Sequence, residues 1–224
     1  MATKQVFSVT PDFLSAKECD QLVKFCEQFK DKWEIGEVSE DGIAGKAERD
    51  PIRSCKTWFI QGEFDEKAEK EAARFYRMID ERFNRVKLEM GLDDWVITER
   101  EAFQYTHYEK NDGYGWHKDT HDEPYDSAMG TDPAHDGLNR KLSMTIFLND
   151  FDEWTEGRFE IENPWVHGPN DAHYRIHQFQ PEFSDQIKKG TAIVFPSYIQ
   201  HRVSPVQSGV RKSLVAWYLG PPWV

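Results

Sequence analysis

The chain has 224 residues, with 28 Lys and Arg against 40 Asp and Glu, a formal net charge of −12, and 14% aromatic residues. That length suits one domain able to bury a core, in which flat, stiff aromatic side chains weigh heavily. The acidic balance, without a dense basic run, argues against a nucleic-acid backbone as main partner, and no apolar stretch approaches a membrane span.

At the start, Met1-Ala2-Thr3-Lys4-Gln5 lacks the apolar run of a signal peptide. Val6 to Val9 reads as a short strand. Ser15-Ala16-Lys17-Glu18 spells a capping box, and Cys19, Leu22, Val23, Cys26 and Phe29 follow at helical spacing. Cys19, Cys26 and Cys55 are an odd set without a CxxC pair, which argues against a disulfide framework and a thiolate zinc site. They are expected as buried thiols in a reducing cytoplasm.

Trp33 to Pro51, rich in Glu, Asp and Gly, predicts a loop, and Cys55 to Ile60 a strand. Phe64 to Met90 carries the longest helical stripe, through Ala68, Ala72, Phe75, Met78, Ile79, Phe83 and Val86, with Gly91 placed to end it. From Trp95 the texture changes to short apolar runs: Trp95–Ile97, Glu101–Tyr108, Gly115–Lys118, Leu142–Leu148, Arg158–Ile161, Thr191–Phe195, His201–Val203 and Arg211–Tyr218. Helices first and many short strands after predict a mainly β fold, a sandwich or jelly roll with N-terminal helices packed on one sheet. The expected organisation is a single domain, residues 1–94 as helical and strand buttress and 95–224 as jelly-roll core. Two long polar stretches interrupt that core, Thr120 to Arg140 and Asn163 to Gln186. The first is expected to be a mobile lid, too poor in apolar surface to hold one packed form, touching substrate through Tyr125 and Met129. The second carries His167, His173 and His177, expected as solvated loop histidines.

The chemistry-bearing residues fall in the strand-rich half. On an extended strand, His117 and Asp119 point to one face and offer an imidazole beside a carboxylate. His201 supplies a distant second imidazole. Two His and one carboxylate on one face of a metal, the opposite face open, suit a non-heme Fe(II) centre. His121 extends the run to His-x-Asp-x-His and is expected on the solvent side, where the chain leaves the strand. Arg211, ten residues past His201, is a permanently charged fork suited to a carboxylate.

At these four residues the sequence resembles the 2-oxoglutarate- and Fe(II)-dependent dioxygenases, within them the prolyl-4-hydroxylase branch and its bacterial relatives. Tyr108 and Tyr114 before the first His, Arg140 ahead of Leu142–Leu148, Gly157, Gly190, Phe195-Pro196, and His201-Arg202-Val203-x-Pro205-Val206-x-x-Gly209-x-Arg211 with Trp217 carry the likeness. Phe13-Leu14-Ser15-x-x-Glu18-Cys19 extends it toward the N-terminus. It departs from the family at Glu156-Gly157, where a Gly-Gly pair is usual, at Phe147, where a Tyr hydroxyl is common, and in its two longer loops.

The resemblance implies a double-stranded β-helix and an enzyme using Fe(II), 2-oxoglutarate and O2, with ascorbate as reductant. It implies that His117, Asp119 and His201 hold iron and that Arg211 grips the far carboxylate of 2-oxoglutarate. Ser213, Tyr108 and Thr145 are expected as further cosubstrate contacts, Thr145 in place of the missing Tyr hydroxyl. Trp217 is expected to wall the iron pocket, and Tyr114 and Tyr125 to face the substrate. The expected reaction is hydroxylation of a C–H bond, foremost in a prolyl residue of a protein or peptide, with a free amino acid or small metabolite as alternative. A non-catalytic jelly-roll module holding structural zinc is the reading from another class, opposed by the open triad, because structural zinc sites are closed by four protein ligands. Nothing in the sequence sets the oligomeric state.

Overall fold

The computed structural model describes residues 7–36, 53–164, 176–182 and 184–222. The chain runs β1 (Ser8–Thr10), α1 (Ala16–Glu27), β2 (Glu34–Ile35), β3 (Arg53–Ser54), β4 (Lys56–Phe59), α2 (Glu66–Glu89), β5 (Glu99–Arg100), β6 (Gln104–Tyr108), β7 (Gly113–His117), β8 (Asn139–Phe147), β9 (Trp154–Glu156), β10 (Phe159–Glu162), β11 (Ile176–Phe179), β12 (Ala192–Pro196), β13 (His201–Val203), β14 (Val206–Gly209) and β15 (Arg211–Gly220).

The helices form where capping and periodicity coincide. Ser15 accepts from the Glu18 amide while the Glu18 carboxylate returns to the Ser15 amide, closing the capping box of α1. Asp65 caps α2. Gly91, in the left-handed conformation at φ 67°, ends α2, its amide bonding Leu88 and that of Leu92 bonding Lys87. Phe75, Ile79 and Phe83 are at most 1% exposed, and each contributes roughly 1.5–3 kcal/mol by leaving water.

The strands pair antiparallel in two main sheets. The larger runs β1-β12-β8-β15-β6-β4-β2, with β5 also on β15; the smaller runs β11-β10-β13-β7-β3. Side chains alternate across β15 and its neighbours. Leu214, Ala216, Leu142, Met144, Ile146 and Tyr105 face α1 and α2 in one apolar cluster. Tyr108, Phe147, Ile193 and Phe195 face the smaller sheet in a second cluster with Phe159 and Ile161. This is the jelly roll, helices on the outer face of one sheet. Cys19 and Cys26 lie in the helical cluster and Cys55 between the sheets, all three as free buried thiols. No helix among the described residues is long and apolar enough to cross a membrane.

Three expectations need correction. Trp95–Ile97 is not a strand: Trp95 and Ile97 pack against the helical cluster, and pairing begins at β5. Asn163 to Gln186 is not all loop, because β11 pairs with β10 inside it. The alternation of β11 is short and half-polar, so it left little pattern. The strands β2, β3, β9 and β14 span two to four residues and left none.

The last correction concerns Thr120 to Arg140, which has a packed form. The Tyr125 amide donates to Leu138 and the Gly137 amide to Tyr125, making a neck. Beyond it, Asp126 and Asp132 cap 3₁₀ turns at Ser127–Met129 and Pro133–His135, and Asp136 accepts from the Ser127 amide. Asp126, Asp132 and Asp136 thus bond the backbone, and these side chain-to-backbone bonds supply order that apolar burial does not. Val6, most of the loop predicted over Trp33 to Pro51, His167, His173 and the Met129 side chain lie outside the described residues.

Candidate functional site

His117 ends β7, His201 begins β13, and the two are direct cross-strand partners in the smaller sheet. Their ring centroids lie 4.1 Å apart. Asp119 lies past the end of β7, so the strand geometry expected to aim it does not. Instead its amide and that of Thr120 both donate to the carbonyl of Ser197, which follows β12. The carboxylate thus reaches His117 Nε2 at 3.6 Å and His201 Nε2 at 3.4 Å. The ligating atoms of all three residues lie within 4.8 Å of one another.

Each imidazole is held from behind. His117 Nδ1 donates to the Gly115 carbonyl at 2.8 Å, and His201 Nδ1 to the Ile199 carbonyl at 2.9 Å. A carbonyl only accepts, so the proton sits on Nδ1 and the Nε2 lone pair faces the cluster, as a metal ligand requires. Burial pulls His201 down to about 4, against the charge of Asp119. Burial alone would raise Asp119, but His201, His117 and Arg140 outweigh it and keep the carboxyl well below its usual range. Two imidazoles that present Nε2 lone pairs and an ionised carboxylate fit a divalent iron. His121 stays outside the cluster, exposed, as expected.

The cluster opens on a cavity of about 1590 Å3. Arg211, at the start of β15 and 1% exposed, lines the same cavity. Its Nη1 donates to Ser213 Oγ at 3.1 Å, while Nε and Nη2 have no partner. The guanidinium sits 5.1 Å from the Tyr108 ring and 5.4 Å from that of Phe147. Among the described residues no carboxylate pairs with it, so a structural ion pair does not explain it. A buried cation with two unmet donors fits an incoming carboxylate. Ser213 and Thr145 line the same cavity, as does Tyr108, the register partner of Arg211. Phe147 faces inward without a hydroxyl and packs on Phe151.

Tyr114 stacks on His117, centroids 3.4 Å apart, and Trp217 lies under the Arg140 guanidinium at 4.0 Å. Tyr125 lines the cavity and donates to Glu101 Oε1 at 2.7 Å. His177 sits on β11 against Phe7 and Asn163, away from the cluster. The sequence reading missed Glu101, Ser197, Gln104 and Arg53 around the site. Glu101 gave no signal of its own, being one acid among 40 until Arg140 is seen beside it. Ser197 acts through its main chain and had none.

Residues 103–219 match the family described as the 2OG-Fe(II) oxygenase superfamily. A PKHD-type hydroxylase of Psychrobacter sp. is 30% identical over 114 residues, 50% of this chain and 36% of that protein. A PKHD-type hydroxylase of Xylella fastidiosa is 32% identical over 110 residues, 49% and 40% of the two chains. The likeness thus spans less than half the length of these relatives. The crystal structure of a Pseudomonas putida prolyl-4-hydroxylase superposes with a TM-score of 0.62 at 18% identity, covering 95% of this chain and 92% of that one. A Trichoplax adhaerens prolyl hydroxylase, solved with a hypoxia inducible factor peptide fragment, gives 0.65 at 16% identity over 95% and 83%. These structures share the fold. With a family model spanning just over half of its length, this chain belongs to the 2OG-Fe(II) oxygenase superfamily.

Proposed function

We propose that the chain is an Fe(II)- and 2-oxoglutarate-dependent dioxygenase that hydroxylates a C–H bond of a prolyl residue in a protein or peptide. The observation that carries this reading is a three-ligand cluster that lines one cavity together with a buried Arg211 holding two unmet donors. When bound, iron with 2-oxoglutarate and O2 supplies the oxidation, putting one oxygen atom into the C–H bond and converting the oxo acid to succinate and CO2.

The protein positions the reactants and excludes water. His117, Asp119 and His201 hold the ion from one side and leave the cavity side free. The orphan N–H groups of Arg211 take the distal carboxylate, with Ser213, Tyr108 and Thr145 as further polar contacts. Tyr114, Trp217 and Tyr125 line the substrate's approach. A cavity of about 1590 Å3 exceeds the few hundred to ~1,000 Å3 usual for small-ligand sites, which supports a peptide segment over a free amino acid. The peptide bound to the Trichoplax relative supports the same choice. Cytoplasmic residence fits a centre needing Fe(II) and three free thiols.

The test is to incubate purified protein with Fe(II), ascorbate and 2-oxoglutarate and screen proline-containing peptides, with free proline and other amino acids alongside. A gain of one oxygen on a peptide, matched by succinate, is the expected result. Oxygen gain on a free amino acid alone would move the assignment to a small metabolite. Bound metal without any succinate release would favour a non-catalytic module.

A further inference from the structure

Asp119 is awkwardly placed for a metal ligand. It lies beyond the last paired residue of β7, at the root of an excursion that returns to the sheet only at Asn139. Motion of that segment would carry the carboxylate away from His117 and His201 unless something other than the sheet ladder held its backbone.

Two groups hold it. Ser197 accepts the Asp119 amide at 2.9 Å. From the other side Arg140 Nη1 donates to the Asp119 carbonyl at 3.3 Å. Arg140 is itself fixed. Its Nε and Nη2 form a fork on Glu101 at 2.5 and 2.6 Å, and its flat face lies 4.0 Å over Trp217. Glu101 is fixed in turn, because its amide donates to the Trp217 carbonyl at 3.0 Å. Both charged side chains are about 15% exposed or less. Buried together they neutralise each other, so the couple aims a donor without adding net charge beside the ligand. Glu101 Oε1 also takes the Tyr125 hydroxyl, and Tyr125 forms the neck of the excursion. One carboxylate oxygen therefore links the docking of that segment to the orientation of Arg140.

Building on the metal site proposed above, we propose that Arg140 and Glu101 are positioning residues for the ligand Asp119, and that Tyr125 couples the 120–140 segment to them. Outer contacts of this kind orient metal ligands, and their loss typically lowers metal affinity about ten- to hundredfold.

The experiment uses the full chain and Mn(II), counting unbound Mn(II) by its paramagnetic resonance signal, with a thermal melt of each metal-free variant. Glu101→Gln and Arg140→Lys are expected to weaken Mn(II) binding about ten- to hundredfold. Tyr125→Phe leaves the ion pair in place and reaches Asp119 only through Glu101 and Arg140, so it should weaken binding less, by about three- to tenfold. Glu18→Gln, which breaks a remote pair with Arg82, is the control: its melt moves and its Mn(II) affinity does not. Folded Glu101→Gln and Arg140→Lys proteins with wild-type affinity would overturn the inference. Should those two fail to fold, Tyr125→Phe decides alone, and unaltered affinity there overturns it. Wild-type protein that binds no Mn(II) would sink the metal-site reading itself, and this inference with it.

Discussion

Arg211 is the residue whose surroundings are most incomplete. Its guanidinium is buried among Tyr108, Phe147 and Ser213, and burial pulls its affinity for the proton down with no acid to restore it. Removing one partner of a buried charge pair typically costs about 3–5 kcal/mol. Arg211→Ala should therefore weaken 2-oxoglutarate binding by two to three orders of magnitude, read by isothermal titration of the Mn(II)-loaded protein; unchanged affinity would make Arg211 structural. His117→Ala, Asp119→Ala and His201→Ala should each abolish succinate release while far-UV circular dichroism stays as in the wild type, because open metal sites serve chemistry more than folding. Full turnover by Asp119→Ala would refute the ligand assignment. These four residues stood out in the sequence because charged and imidazole side chains are uncommon among the short apolar runs that surround them. Glu101 could not be singled out from among 40 acids until Arg140 was seen beside it. The means of aiming Asp119 was also hidden, since it resides in the main chain of Ser197.

At the level of elements, α1 is fastened at its first turn. Glu18 closes the capping box and also takes both terminal nitrogens of Arg82 on α2, at 2.9 and 2.8 Å. The Arg82 hydrogen bonds, working against partial burial, hold Glu18 near 2 instead of the ordinary 4.5. A carboxyl depressed in the folded state contributes stability that is fully present above pH 4.5 and is lost as pH falls toward 2. Glu18→Gln should thus cost about 2 kcal/mol in urea unfolding at pH 7, and the difference from wild type should shrink steadily below pH ~4.5. A gap independent of pH would assign the effect to the cap alone. Just before α1, the Leu14 amide bonds the carbonyl of Gly190, whose φ is +85°; a Cβ there would lie 1.9 Å from the Leu14 carbonyl oxygen. Gly190→Ala should destabilise by about 2 kcal/mol or more, measurable as a lowered denaturant midpoint. Both helices were legible because twelve and twenty-four residues give the 3.6-residue period room to repeat. A two-residue strand such as β3 has no period to detect; its pairing with β7 is set by the sheet it joins.

On the scale of the whole molecule, we propose one folding unit. The N-terminal half supplies β1, β2 and β4 to the larger sheet and β3 to the smaller one, besides the helices that cover Leu142, Met144, Ile146, Leu214 and Ala216. A fragment of residues 95–224 would expose that apolar face and lose edge strands from both sheets. It should melt without a cooperative transition and bind hydrophobic dyes; a sharp melt would show that the strand-rich part folds alone. The helix-then-strand texture made the layered architecture legible, but not the way the chain passes from the smaller sheet to the larger between β3 and β4, with Cys55 at the crossing.

That crossing gives the molecule separate reporters of how it opens. Thiol exchange requires the thiolate, and burial pushes Cys19 up to about 12 and raises Cys26 and Cys55 as well, so each reacts only when its surroundings part. Cys19 and Cys26 time the lifting of the helices, whereas Cys55, packed with Tyr108, times the gaping of the two sheets where Arg211 waits. The order in which a disulfide reagent marks them, followed by mass, separates these two openings in an unmodified chain. A carboxylate that seats on Arg211 will slow the mark at Cys55 more than at Cys19 or Cys26.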